Sequence, residues 1–174
     1  MAGFVDIRGG ARLGLSVALV ATATLVLRVP MPATEGYINV GDAVIIAVAL
    51  LFGPLAGGLA GGLGSSLADW LGGYAHWAPF TLCIKGFEGW VIGVVFRGQW
   101  ERSLGKLLAV TAAFSGVMCM FMGYFLVEWV LYGPGPALAS APGNLIQAAS
   151  SVVLGLPLAM ALRRSGLADS AKSA

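Results

Sequence analysis

The sequence predicts an all-α integral membrane protein, a single bundle of six transmembrane helices with both termini in the cytoplasm. Three observations predict it. Charged residues make up only 10% of the 174 residues, against about 25% in a soluble domain, while 58% are hydrophobic and the mean hydropathy is +0.87. Six apolar segments follow one another between short polar or glycine–proline breaks, and a backbone in lipid satisfies its own hydrogen bonds as helix. Threading those segments back and forth puts eight of the ten Lys and Arg residues on one side, which the positive-inside rule assigns to the cytoplasm. One membrane domain covers 1–174, with the bilayer as its solvent and no room for a soluble ATPase or redox domain. A net charge of +2 is too small to suggest a nucleic-acid partner.

The first segment, 8–27, stops at Arg28, Pro30 and Pro32. Arg8, Arg12 and Ala21-Thr22-Ala23 imitate a cleaved secretory signal, but the apolar run continues through Leu27, long enough for a retained span. A loop over 29–40 follows. The second segment, 41–52, is too short to cross alone, since a span needs about 20 residues. Gly53-Pro54 is a stop and restart, with Pro54 suited to a first helical turn, and opens the third segment, 54–71. An aromatic loop over 72–78 leads to Pro79 and the fourth segment, 79–97. A polar connector precedes the fifth, 106–131, and a loop over 132–143 joins it to the sixth, 144–162.

This threading places Arg8, Arg12, Arg97, Arg102, Lys106, Arg163, Arg164 and Lys172 inside. Arg28 and Lys85 are left for the outer half or the membrane interior. The loops 29–40, 72–78 and 132–143 face outward, and Asp42, Asp69 and Glu128 lie near them.

Residues 36–89 hold twelve glycines and the ionisable side chains Asp42, Asp69, His76, Lys85 and Glu88. A charge in lipid costs about 2.5–3.5 kcal/mol on insertion scales, so such residues are rarely placed there without a task. On the third segment Gly58, Gly62, Ser65, Asp69 and Gly73 share one helical face. Small residues there make a packing seam, but a seam has no use for the Asp69 carboxylate. On the fourth, Thr81, Lys85 and Glu88 share a face, with Lys85 roughly 9 Å and Glu88 roughly 14 Å below Pro79. Lys85 is expected to pair with Asp69, Glu88 or both. On the fifth, Phe121, Phe125, Glu128 and Tyr132 form a stripe with Tyr124 beside it. The sixth presents Asn144, Gln147 and Ser151 on one face.

These faces describe an outward-opening cup with aromatic walls and an acidic bias. An interfacial aromatic belt accounts for part of the set Tyr37, Tyr74, Trp77, Trp129 and Tyr132, but not for the ionisable groups beside it. The candidate binding residues are Glu35, Tyr37, Asn39, Asp42, Asp69, Tyr74, His76, Lys85, Glu128, Tyr132, Asn144 and Gln147. Such a cup suits a small, planar, water-soluble molecule, neutral or amine-bearing rather than a multiply charged anion.

Catalysis is not expected. Ser65, Ser66 and His76 could be read as nucleophile and base, yet His76 is the sole histidine, sits in an outer loop, and has no third orienting group. A zinc protease needs two histidines and a carboxylate. Neither a metal nor a cofactor is implied, and Cys83 and Cys119 read as small buried hydrophobes. The absence of a G-x-x-x-x-G-K-[ST] loop means that energy for any transport comes from a partner or a gradient. A gradient-driven carrier would use Asp69, Lys85 and Glu88 as a proton relay.

The strings GYINVGDAV, FGPLAGGLAGGLGSSLADWLGGY and PFTLCIKGFEG resemble the substrate-binding (S) component of energy-coupling factor (ECF) transporters, ABC-type importers of vitamins. The resemblance covers nearly the whole chain, with a short second helix and the GD, GP, G-S-x-L-A-D and K-G motifs in order. The pattern is most similar to the hydroxymethylpyrimidine, pyridoxine and riboflavin-type branch. It implies capture of a vitamin at the outer face, docking onto a transmembrane coupling subunit with two cytoplasmic ATPase subunits, and release inward as the S component topples. The family's Ala-x-x-x-Ala docking face on the first helix is matched here by Gly14, Ala18 and Thr22, which keep small residues but not the alanines.

Overall fold

Each apolar run is helical, because a continuous helix is the one local structure that pairs every backbone N–H and C=O within the run. The computed structural model describes residues 7–165, and Lys172 therefore lies outside the described residues, as does the side chain of Arg8. Six α-helices are described: α1 (Ile7–Val26), α2 (Gly41–Phe52), α3 (Pro54–Gly72), α4 (Ala78–Phe96), α5 (Gly105–Tyr132) and α6 (Pro134–Arg164). Four of them, α1, α4, α5 and α6, are long and apolar enough to cross a membrane. α2 has only 12 residues, and α3 is diluted by glycine, serine and Asp69. The molecule is a helical membrane bundle.

Two parts depart from the sequence expectation. The segment 29–40 is a hairpin rather than a loop, so the bundle is not purely helical. Strand β1 (Arg28–Met31) pairs antiparallel with β2 (Gly36–Asn39), Arg28 opposite Asn39 and Met31 opposite Gly36. A single 3-10 turn, Pro32–Thr34, and Glu35 at φ +50° reverse the chain between them. The second departure is at 134–143, which is helical, so that α6 begins ten residues earlier than predicted. Pro134 and its neighbours fill a first turn, where a missing N–H costs nothing. The whole connection is Gly133, whose φ of +86° turns the chain at once.

The helices alternate in direction, giving the bundle a hairpin end and a terminal end, where α1 starts and α6 finishes. Short glycine contacts hold α3 to α4. A Cβ on Gly61 would lie 2.5 Å from the Lys85 carbonyl, one on Gly62 2.8 Å from that of Leu82, and one on Gly89 would strike the Gly57 backbone. The seam reading of these glycines therefore accounts for them. Below, towards the terminal end, the core is apolar: Ile46, Leu50, Ile92, Phe96, Val117 and Met120 pack together. Above it, towards the hairpin, the buried residues turn polar. Of the two cysteines, Cys119 is partly buried, whereas Cys83 is exposed among the outward-facing residues of α4, contrary to the expectation that both are buried.

Candidate functional site

A cavity lies beneath the hairpin, where all six helices contribute side chains or their buried partners. It is a narrow cavity of about 30 Å³. Thr24 of α1, Tyr37 and Asn39 of β2, Ser65 and Asp69 of α3, and Thr81 and Lys85 of α4 line it. Met31 of β1, Gly36 of β2, Trp77 immediately before α4, Tyr124 and Glu128 of α5, and Asn144 and Gln147 of α6 complete the wall.

The floor is an ion cluster. Lys85, buried from solvent, reaches two carboxylates: it is ion-paired with Asp42 at the start of α2 and lies 3.4 Å from Glu88 Oε2 one turn along its own helix. Of the two partners that spacing offered, Glu88 is one and Asp69 is not; the second carboxylate is Asp42, delivered by the first turn of α2. Gln147 Nε2 donates to Asp42 Oδ2 at 2.7 Å, while Gln147 Oε1 accepts the Asn39 N–H at 2.8 Å. One amide therefore ties α6, the hairpin and the floor together. Asn39 Oδ1 accepts the N–H of Gly41 at 2.9 Å, satisfying an orphan donor at the α2 N-terminus.

The walls carry two further carboxylates. On α3, Asp69 Oδ1 accepts the Tyr37 hydroxyl at 2.5 Å. Burial pushes the Tyr37 phenol well above its ordinary range and the neighbouring Asp69 charge adds to this, so it remains a proton donor. Asp69 Oδ2, Ser65 Oγ and Thr24 Oγ1 are buried without a hydrogen-bond partner among the described residues. On the far wall, Glu128 accepts from Ser140 Oγ and, at 3.3 and 3.4 Å, from Asn144 Nδ2. Between these walls stand aromatic faces. The Trp77 ring lies 5.8 Å from that of Tyr124, its Nε1–H donating to the Thr34 carbonyl at 3.3 Å. The Tyr124 hydroxyl donates to Thr81 Oγ1 at 3.1 Å, and its ring lies 5.4 Å from Lys85 Nζ.

Seven of the twelve sequence candidates line the cavity: Tyr37, Asn39, Asp69, Lys85, Glu128, Asn144 and Gln147. Five do not. Asp42 lies just under the floor behind Lys85. Tyr74 is outside, its ring 4.6 Å from that of Tyr37, and Arg28 sits over both while donating to the Gly72 carbonyl at 3.2 Å. Tyr132 packs beside Trp77 with ring centres 6.1 Å apart, and Glu35 and His76 are exposed. The Phe121–Phe125 part of the predicted stripe also lies off the cavity wall: those two rings stack on each other, and Phe125 meets Trp129 at a tilt, 5.7 Å between ring centres. Tyr124 takes the wall position instead. The small residues Gly14, Ala18 and Thr22 lie together on an exposed face of α1.

Three wall residues absent from the candidate set had a legible signal. Ser65, Thr81 and Tyr124 each stand four residues before a candidate, Asp69, Lys85 and Glu128 respectively, hence on the same helical face. Trp77 looked like belt, and Thr24 and Met31 carried no signal at all.

Comparison with known proteins adds a separate line. Residues 6–164 match the family described as ECF-type riboflavin transporter, S component. The chain is 45% identical over 145 residues to a protein of Pyrococcus woesei known as an uncharacterized protein in gap 3'region, covering 83% of this chain and 95% of that one. It is 28% identical over 146 residues to the thiamine precursor transporter HmpT of Lactococcus lactis subsp. cremoris (strain MG1363), covering 83% and 81%. The family description and the name of the Lactococcus relative are those of transporters and not of enzymes, and the long apolar helices are those of a multi-pass membrane protein. The chain belongs to the ECF-type riboflavin transporter S component family, and its role is in vitamin transport.

Proposed function

We propose that the cavity under the hairpin binds a single-ring, neutral or amine-bearing vitamin or vitamin precursor, of the hydroxymethylpyrimidine or pyridoxine kind. The carrying observation is the balance of buried groups: Asp42, Asp69, Glu88 and Glu128 against the one ammonium of Lys85, which is already engaged by two of them. A guest entering between Asp69 and Glu128 meets acceptors, so it gains by bringing N–H or O–H donors. Trp77 and Tyr124 offer flat faces for a ring. The cavity is narrow, so it has to widen less to admit one ring than to admit the three fused rings of riboflavin.

In this reading six helices cross the membrane, both termini are cytoplasmic and the hairpin end faces outward. Gly14, Ala18 and Thr22 are the contact for a transmembrane coupling subunit, and two ATPase subunits supply the energy. The buried Asp42–Lys85–Glu88 cluster favours one alternative, a gradient-driven carrier in which these groups and Asp69 relay protons. Uptake into vesicles separates the two: ATP and partner subunits are required in the first case, and a pH gradient without them suffices in the second.

The direct test is titration calorimetry of the purified protein with 4-amino-5-hydroxymethyl-2-methylpyrimidine, pyridoxine, thiamine and riboflavin. A pyrimidine or pyridine is expected to bind one per chain and more tightly than riboflavin. Asp69→Asn should weaken that binding at least tenfold, since a bond to a charged acceptor contributes about 1.5–3 kcal/mol, while Glu35→Gln leaves it unchanged. Tightest binding by riboflavin, or no effect of Asp69→Asn, refutes the assignment.

A further inference from the structure

A second pocket opens at the terminal end of the bundle, away from the cavity, between the α4–α5 connector, the start of α5 and the end of α6. Trp100, Glu101, Lys106, Met160, Arg163 and Arg164 line it around about 350 Å³. Three cations thus face one carboxylate. Arg163 is already held: it is ion-paired with Glu101, and its guanidinium lies 5.2 Å from the Trp100 ring. Trp100 is braced in turn by Phe96, with ring centres 4.8 Å apart, and by its Nε1–H on the Leu50 carbonyl at 3.3 Å. Lys106 and Arg164 remain, both exposed and neither in a salt bridge among the described residues. Like charges brought to one pocket repel unless an anion joins them.

The surroundings say which anion. From Lys106 an exposed apolar stripe runs along α5 through Leu107, Val110 and Phe114, at steps that keep it on one side of the helix, and Leu104 is exposed at its head. A charged pocket at helix ends that continues into a lipid-facing apolar stripe has the polarity profile of a phospholipid. Guanidinium and ammonium groups suit phosphate oxygens, and the flat Trp100 face suits the headgroup level. Basic pockets between helix ends are a known mode of anionic-lipid recognition. An acidic protein segment could use the cations but would leave the stripe unused.

We propose that this pocket binds the headgroup of an anionic phospholipid, with its phosphate on Lys106 and Arg164, its glycerol region against Trp100 and Met160, and an acyl chain along Leu107, Val110 and Phe114. This site is independent of the cavity and of its ligand.

The experiment is native mass spectrometry of the full chain released from nanodiscs of dioleoylphosphatidylcholine with one fifth dioleoylphosphatidylglycerol. Wild type should retain one phosphatidylglycerol per chain in preference to phosphatidylcholine. Lys106→Ala/Arg164→Ala should cut that retention about tenfold, and Arg97→Ala/Arg102→Ala, which removes two cations of the same end outside the pocket, should not. Both double variants keep Arg163 and its brace on Glu101, and an unchanged melting temperature in detergent reports that they are folded. Added glycerol 3-phosphate should fail to displace the lipid, whereas displacement would mean that the pocket reads free phosphate. Equal losses from the two variants would reduce the effect to diffuse charge. No preference of wild type for phosphatidylglycerol would leave the pocket to an acidic protein partner. Any of these three results overturns the proposal.

Discussion

Lys85 shows how much a single side chain organises here. Its ammonium is buried with Asp42 and Glu88 around it, and Asp42 also holds Gln147, which in turn holds the hairpin at Asn39. Lys85→Met fits the same space but leaves two carboxylates buried without a cation. Breaking a buried pair from one side costs about 3–5 kcal/mol, so the variant should unfold at clearly lower temperature in detergent. The triple change Lys85→Met/Asp42→Asn/Glu88→Gln removes the charges together and keeps an oxygen at position 42 for Gln147 Nε2. It should recover most of the lost stability, and failure to do so would show that the ammonium acts by more than charge balance. Spacing alone had offered Lys85 a choice of Asp69 and Glu88. The partner supplied by α2 was not legible, because which helix reaches the ammonium is decided by packing and not by position in the chain.

The helix pairs were more legible than the connections between them. Glycines at 57, 58, 61 and 62 announce a close approach, and the seam between α3 and α4 is where they are used. Gly89→Val would drive a branched side chain into the Gly57 backbone, so the helices must separate and the walls bearing Asp69 and Lys85 move apart. Overpacking of this kind costs about 1–3 kcal/mol. The measurable outcome is a lower melting temperature together with weakened ligand binding. Gly135→Ala, where an added Cβ meets nothing within 4 Å and φ is not positive, should change neither. The hairpin at 28–39 and the early start of α6 escaped the sequence reading for a shared reason. Proline and glycine mark both stretches, and those residues signal a turn without saying whether strand or helix follows it. The first turn of α6 absorbs Pro134, while Pro30 sits in a two-stranded ribbon where a missing N–H is tolerated.

The number of membrane crossings follows from how far α2 reaches. Its 12 residues rise roughly 18 Å, less than the roughly 30 Å of a hydrocarbon core, so by length alone α2 and α3 could enter and leave on one side. The contacts argue otherwise. Phe52 at the end of α2 lines a groove with Arg12 near the start of α1, and the Leu50 carbonyl accepts from Trp100 after the end of α4. The α2–α3 turn thus lies level with the basic terminal end. The missing length is made up at the other end, where the hairpin and the polar cavity occupy the depth that a longer helix would fill. A cysteine placed at Leu55, which is exposed just past that turn, therefore tests the topology in a background with Cys83 and Cys119 changed to serine. Six crossings require that a membrane-impermeant maleimide reach it only from the cytoplasmic face, the face on which a reporter fused at the C-terminus is also found. Labelling from the outer face alone would make α2 and α3 a re-entrant pair and the crossings four, and the cavity would then have to be loaded past a thinner barrier than the proposed importer needs.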